Sequence, residues 1–461
     1  MEVGWKRTAF VMCGVGLFKE FLPSAPFFIE YAMDSDHGSF TKDEITREIL
    51  PVTIYGHFVS LLIFLLITDL LRYRPIIILG GLSAMLCWTI TIYSYHTKKD
   101  AIIRQILYSI EHSSEVAYIT FMYEIVNRTL YREVTSLIHG SMHAGKFIGG
   151  ALGQILLSYK ILSLENINYF SLGSTFSLVT FAMFMPGIKW TLYCHPRVED
   201  SSTDLEKADS EDWKAQEDGQ STNSSQDPLD PSSPTQVWGA IKHRFGGAYS
   251  ELKKDIVSAY SNDHVRRWSV WWAMSRAIYW QIALYTESLW KEIEEETHQH
   301  PLNGAVDAAH ALISMLLAAS LPFIKIPWEM WAERYLTVIA LVQGFMTLWM
   351  SQTKDLYIAN ICYVIVQTTF EVVFIFGASE IAGSLPDHKA SFIFGINALM
   401  GILIQALITN VVTTSYSFAL DIRSQFFVYG CYSIGLSLLF LTFALRKRHK
   451  TWKVNTPLTR F

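Results

Sequence analysis

Apolar residues along this chain gather into about twelve stretches, each long enough to cross a bilayer, and the series is broken once by a long polar segment. About 20 apolar residues wound as a helix span the hydrocarbon core, so the pattern predicts membrane helices. They fall at 8–32, 51–71, 75–95, 101–126, 134–162 and 169–185 before the break, and at 268–290, 303–324, 335–351, 356–383, 390–413 and 425–445 after it. The predicted class is an all-α membrane protein of twelve transmembrane helices, six on each side of the break.

Four segments follow from this division: a first six-helix half over 1–194, a linker over 195–267, a second half over 268–446 and a tail over 447–461. An even number of crossings puts both termini on one face. Lys6, Arg7, Arg72, Arg74, Arg128, Arg132, Arg446, Lys447, Arg448 and Lys450 fall on that face, which the positive-inside bias makes cytoplasmic; Lys98 and Lys99 fall on the other. Residues 199–236 are dense in Ser, Asp, Glu, Pro and Gln and bury too little to offset the entropy of ordering, so disorder is expected there. The stretch 237–267 regains spaced apolar and basic residues and predicts an amphipathic helix leading into the seventh span. The sequons at Asn127 and Asn223 lie on the cytoplasmic face and are expected to stay unmodified. Charged residues make up 17% of the chain and aromatics 14%, and the five cysteines (Cys13, Cys87, Cys194, Cys362, Cys431) have no paired spacing, which predicts packing rather than disulfides or metal. The first span contains Lys19 and Glu20 and lacks a small-residue cleavage site, so it reads as a retained helix.

Two six-helix halves joined by a cytoplasmic loop is the layout of a major facilitator transporter, in which substrate binds near the midplane and the halves rock about it. A membrane-embedded enzyme or a receptor is the competing reading. Ionisable groups inside spans are costly and face the bundle interior, so each is a candidate site. Glu115 lies deep in the fourth span with Tyr118 three residues on; a carboxylate beside an aromatic suits an organic cation. Asp69 and Arg72 close the second span at the cytoplasmic edge and are expected to act as a gating charge pair. His139, His143 and Lys146 share the fifth span; the two histidines, four apart, would suit a metal or a proton relay, but without a third ligand they read as polar lining. The seventh span offers Trp271, Trp272, Arg276, Tyr279, Trp280, Gln281 and Tyr285, the tenth Gln367, Glu371 and Glu380, and the eleventh Asn397 and Gln405. Residues 140–146 approximate a phosphate-binding loop, but Phe147 stands where Ser or Thr is needed and no strand precedes it, so its small residues predict close helix packing. No nucleophile elbow, metalloprotease signature or dinucleotide fingerprint occurs, and neither a cofactor, a bound metal nor a nucleic-acid partner is expected.

Several stretches carry a closer likeness: Glu44-Ile45-Thr46-Arg47-Glu48-Ile49-Leu50-Pro51-Val52, Leu66-Ile67-Thr68-Asp69-Leu70-Leu71-Arg72-Tyr73-Arg74-Pro75, Trp268-Ser269-Val270-Trp271-Trp272, Asn303-Gly304-Ala305-Val306-Asp307-Ala308 and Phe394-Gly395-Ile396-Asn397. With them the chain resembles the reduced folate carrier and thiamine transporter family over nearly all its helical portion. The resemblance implies a plasma-membrane carrier of a water-soluble vitamin. Folate-carrying members are similar in placing arginine where this chain has Glu115 and Gln367, and lysine where it has Gln405, whereas thiamine carriers look like it at Glu115, Tyr118 and Gln405. A buried carboxylate repels a dianion and attracts a thiazolium, so thiamine or a similar organic cation is the favoured substrate. A reduced folate or another organic anion, received by Lys146 and Arg276, is the alternative, with a divergent paralogue or a substrate-sensing receptor beyond it. The expected substrate site is Glu115, Tyr118, Trp272, Arg276, Tyr279, Asn303, Gln367, Glu371 and Gln405. The chain departs from the family at Leu22-Pro23-Ser24-Ala25-Pro26, which lacks an Arg-Pro pair and the following acid, at Thr53 in place of a tryptophan, and at His139 in place of an arginine.

Overall fold

The computed structural model describes residues 2–34, 38–126, 130–187, 254, 256–258, 260–320, 323, 328–384, 390–414 and 417–455. The polar part of the expected linker, both sequons and Cys194 lie outside the described residues, as do the side chains of Asp69 and Glu380. Twelve long helices stand among the described residues: α1 Glu2–Glu20, α2 Leu50–Leu71, α3 Arg74–Tyr93, α4 Lys98–Phe121, α5 Tyr131–Ser158, α6 Ile167–Met183, α7 Asp263–Thr297, α8 Asn303–Ser320, α9 Trp328–Gln352, α10 Leu356–Ser384, α11 Ala390–Val412 and α12 Ile422–Asn455. The helix α12 therefore runs on into the expected tail.

The first predicted helix is corrected by its own prolines. It stops at Glu20, passes through a 3₁₀ turn at Ala25–Phe27 and resumes as the short helix Phe28–Met33. Pro23 and Pro26 offer no backbone donor and crowd the preceding turn, so a continuous helix cannot cross them. Ahead of α2, Thr41 and Glu44 cap each other's backbone at the start of Lys42–Glu44, and Ile45–Ile49 then forms a π turn. Pro51 explains the wider turn, because an α turn would press its ring on the Arg47 carbonyl. Arg72 and Tyr73 both take positive φ, 63° and 59°, and reverse the chain tightly between α2 and α3.

Among the described residues the twelve helices differ in polarity. Four helical stretches, Lys42–Thr68, Arg74–Tyr93, Ile393–Val412 and Ile422–Leu445, are long and apolar enough to cross a membrane by composition alone. Others are more polar because they turn ionisable groups inward: α4 buries Arg104, Gln105, Glu111, His112 and Glu115.

The halves meet mainly along α5 against α8 and α2 against α11. Lipid tails are as apolar as leucine, so helices in a bilayer associate through close packing more than through water exclusion. Glycines supply that closeness on α5. Gly145, Gly149 and Gly153, one turn apart, lie against the backbone of Leu17, Leu22 and Pro23. Gly150, on the neighbouring face, meets Gly304 of α8, where an added Cβ would stand 2.7 Å from the facing carbonyl oxygen. Of the stretch that mimics a phosphate-binding loop, Gly145 opens this packing seam, while Gly140 has no atom within 4 Å of an added Cβ. Across the two halves, Lys42 pairs with Glu292 and Glu295 at 3.3 and 3.1 Å, and the Thr46 hydroxyl donates to Ser288 at 3.2 Å.

Gly145→Val should lower the thermal midpoint of the detergent-solubilised protein, at a cost of about 1–3 kcal/mol or more, because its side chain would meet rigid backbone. Gly140→Val, at a position with no atom within 4 Å of an added Cβ, should leave it unchanged. Equal melting of the two variants would show that the seam adds nothing to stability.

Candidate functional site

The interior of the bundle holds a cavity of about 240 Å³ between the halves. The helix α4 supplies one wall, because Arg104, Tyr108 and Glu111 recur at helical spacing and turn to one side. From the other half, α7 presents Trp280, Leu284 and Glu287 in the same manner. Lys19 and Glu20 enter from the end of α1, just before the helix breaks, while α5 and α8 contribute Lys146 and Asp307. Trp290, Tyr363 and Gln405 complete the part of the wall formed by the second half.

Lys19 is the centre of the charge arrangement. It is 8% exposed and sits 2.9 Å from Glu111, 3.1 Å from Glu115 and 3.4 Å from Glu20. The two acids of α4 stand one turn apart, so a single ammonium reaches both. Glu115 does not itself line the cavity; Lys19 and Glu111 stand there instead. His112 lies 3.7 Å from Glu115 through Nδ1, and its ring meets the edge of Trp280 at 4.3 Å. Lys146 faces Asp307 at 3.8 Å.

The remaining cations are held differently. Arg104 lies 3.7 Å over the ring of Phe28 and donates to Thr91 and Gln105, with no carboxylate within 4.0 Å among the described residues. Arg276 is enclosed by rings, 5.2 Å from Trp272, 5.6 Å from Trp280 and 5.9 Å from Phe374. It too has no acid within 4.0 Å among the described residues. Cation–π contact of this kind, once desolvated, is worth about 2 kcal/mol.

The expected site residues thus divide between two levels. Gln405 lines the cavity and Glu115 is one ion pair removed from it. Tyr118 turns away: its hydroxyl donates to the Met12 carbonyl at 2.8 Å and ties α4 to α1. Beyond Trp280, Trp272, Arg276, Tyr279 and Glu371 form a second cluster, where the Tyr279 hydroxyl donates to Glu371 at 2.8 Å. Gln367 is buried with both amide atoms unpartnered, and Asn303 has an unpartnered Oδ1. Arg72 is half-buried at the α2–α3 turn. Lys98, on the face with few expected cations, pairs with Glu48. Lys19, Glu111, Arg104, Glu287 and Asp307 lie outside the expected set. Each is an ionisable group within a predicted span, the same signal that singles out Glu115.

Two halves of six helices around a central polar cavity are the major facilitator architecture. Solved structures agree: the human organic anion transporter MFSD10 superposes with a TM-score of 0.60 at 13% identity, covering 95% of this chain and 99% of that one. A POT family transporter crystallised with a thioalcohol-conjugated peptide gives 0.62 at 12% identity, covering 95% and 96%. The reduced folate carrier model matches residues 3–428, and the chain belongs to that family of transporters. Among its relatives, human thiamine transporter 1 is 27% identical over 95% of this chain and 89% of its own length. Folate transporter 1 of Caenorhabditis elegans is 25% identical over 100% and 96%, and the human reduced folate transporter 24% identical over 96% and 72%.

Removing Lys19 leaves two buried carboxylates uncompensated, a loss of about 3–5 kcal/mol for a broken buried pair. Lys19→Met should therefore melt well below the wild type, and adding Glu111→Gln and Glu115→Gln should restore most of the loss. A K19M protein that melts like the wild type would show that the cluster does not tie α1 to α4.

Proposed function

We propose that the chain is a multi-pass plasma-membrane transporter, with both termini cytoplasmic, that carries a water-soluble vitamin by alternating access, and that the vitamin is thiamine or a similar organic cation. The observation that carries this reading is the imbalance around Lys19. One ammonium answers three carboxylates at 2.9–3.4 Å, so the cluster, counted as ionised, keeps an excess of two negative charges, and two of its three acids, Glu20 and Glu111, stand at the cavity wall. A cationic ring entering beside Glu20 and Glu111 completes the neutralisation that Lys19 begins, with Glu115 setting the position of Lys19 from behind. Trp280 and Trp290 line the same cavity, with their indole N–H groups buried without acceptors. Their faces provide the cation–π surface. The names of the relatives include both vitamins, which agrees with a carrier of this substrate class.

One observation favours the second reading, a reduced folate or other organic anion. Arg104 and Arg276 are buried guanidinium groups without a carboxylate partner within 4.0 Å among the described residues, and Arg104 borders the cavity. Lys146 is less available, being paired with Asp307.

Uptake of labelled thiamine and labelled reduced folate into cells expressing the chain separates the two. Saturable thiamine uptake without folate uptake is expected. Glu20→Gln should lower it at least tenfold, about 1.4 kcal/mol, at unchanged surface expression. Folate uptake alone would transfer the assignment to Arg104 and Arg276. Uptake of neither, with the protein at the surface, would overturn the vitamin assignment.

A further inference from the structure

Beneath Trp280 the two halves share a further group of side chains, outside the lining of the cavity. His139 and His143 lie four residues apart on one face of α5, and their ring nitrogens and a carboxylate oxygen of Glu371, from α10, all fall within 4.8 Å of one another. The three side chains are arranged as ligands rather than as partners. The Nε2 atoms of His139 and His143 are buried and have no hydrogen-bond partner, although the residues are only 5% and 8% exposed. Glu371 is held from outside: its Oε1 accepts from the Tyr279 hydroxyl at 2.8 Å, which leaves Oε2 facing His143 Nε2 at 3.6 Å. Behind them stands His310 of α8, 1% exposed, with both ring nitrogens unpartnered and its ring 6.1 Å from that of His143. Unpaired buried polar atoms are costly, and here the Nε2 atoms of two imidazoles stand beside one carboxylate without hydrogen-bond partners.

We propose that His139, His143 and Glu371 bind a divalent transition-metal ion of the Zn²⁺ class, with the Tyr279 hydroxyl orienting the carboxylate and His310 or a water in the fourth position. Two imidazoles and one carboxylate form an open set that such ions favour, and the absence of thiolate argues against a soft monovalent ion. Ligand atoms around tetrahedral Zn²⁺ stand about 3.4 Å apart, given bonds of about 2.0–2.1 Å. Rotation of the side chains by about an ångström closes the set. The ligands come from both halves, so the ion is a clasp across the interface, and its occupancy opposes any movement that separates α5 from α10.

The test is direct titration of the full-length protein, purified without a polyhistidine tag, with Zn²⁺ by calorimetry and with Co²⁺ by its visible ligand-field bands. One ion per chain is expected, with tetrahedral Co²⁺ bands. His143→Gln and Glu371→Gln should each weaken binding at least tenfold, and Tyr279→Phe, which keeps every ligand, should weaken it about tenfold through loss of the orienting bond. Zn²⁺ should also raise the thermal midpoint of the wild type but not of E371Q. Absence of binding in the wild type, or wild-type affinity in H143Q or E371Q, would overturn the proposal. Should a ligand variant not fold, unchanged affinity in Y279F would do so. None of these readings depends on which vitamin is carried.

Discussion

The burial of one ammonium among three carboxylates is the constraint around which the first half is arranged. Removing such ions from water costs several kcal/mol each, and only close mutual contact offsets it. Lys19 therefore has to lie where α1 passes the face of α4 that carries Glu111 and Glu115. The glycine seam on α5 lets α1 sit close enough, with Leu17 and Leu22 against bare backbone on either side of the lysine. The tyrosine bond from Tyr118 to Met12 fixes the same pair of helices about two turns away. Beyond Lys19 the prolines end the helix, so the charged tip of α1 projects into the cavity instead of continuing along its wall.

The class was legible because twelve apolar runs and one polar break admit few architectures, and the family because five stretches of sequence carry it. The boundary of the first helix was legible too, in principle, since Pro23 and Pro26 forbid the continuous rod that hydropathy alone suggests. Contacts between distant positions were not. Glu115 stands out in the sequence as an acid in a span, but nothing local reveals that Lys19 neutralises it. The same lysine, read within its own helix, signals only that the helix is retained. Glu115 and Tyr118 share a face of α4 that meets α1, but they meet it at different heights: Glu115 pairs with Lys19, whereas the Tyr118 hydroxyl is taken by the Met12 carbonyl. His139 and His143 form a motif in sequence whose third member, Glu371, arrives from the other half and has no spacing to announce it.

Polar groups inside the bundle are thus layered. The upper layer, around Lys19, borders the cavity, is mixed in charge and is edged by unpartnered indoles. The lower layer, around Arg276 and Glu371, is closed and ring-filled. Trp280 touches both, meeting His112 on one side and Tyr279 on the other at 4.3 and 5.3 Å. The lower imidazoles and the Arg276 guanidinium lie outside the lining of the cavity.

Where Gly150 meets Gly304, the halves touch backbone to backbone, and beside that contact the Ala305 N–H donates to the Gln154 side-chain oxygen at 3.2 Å. The glycine pair itself has no rotamers to freeze and no knobs to lift out of holes. It acts as a spacer: it sets the distance between the halves at the thickness of two main chains, and leaves the rest of their fit to the charged and aromatic groups elsewhere along the interface.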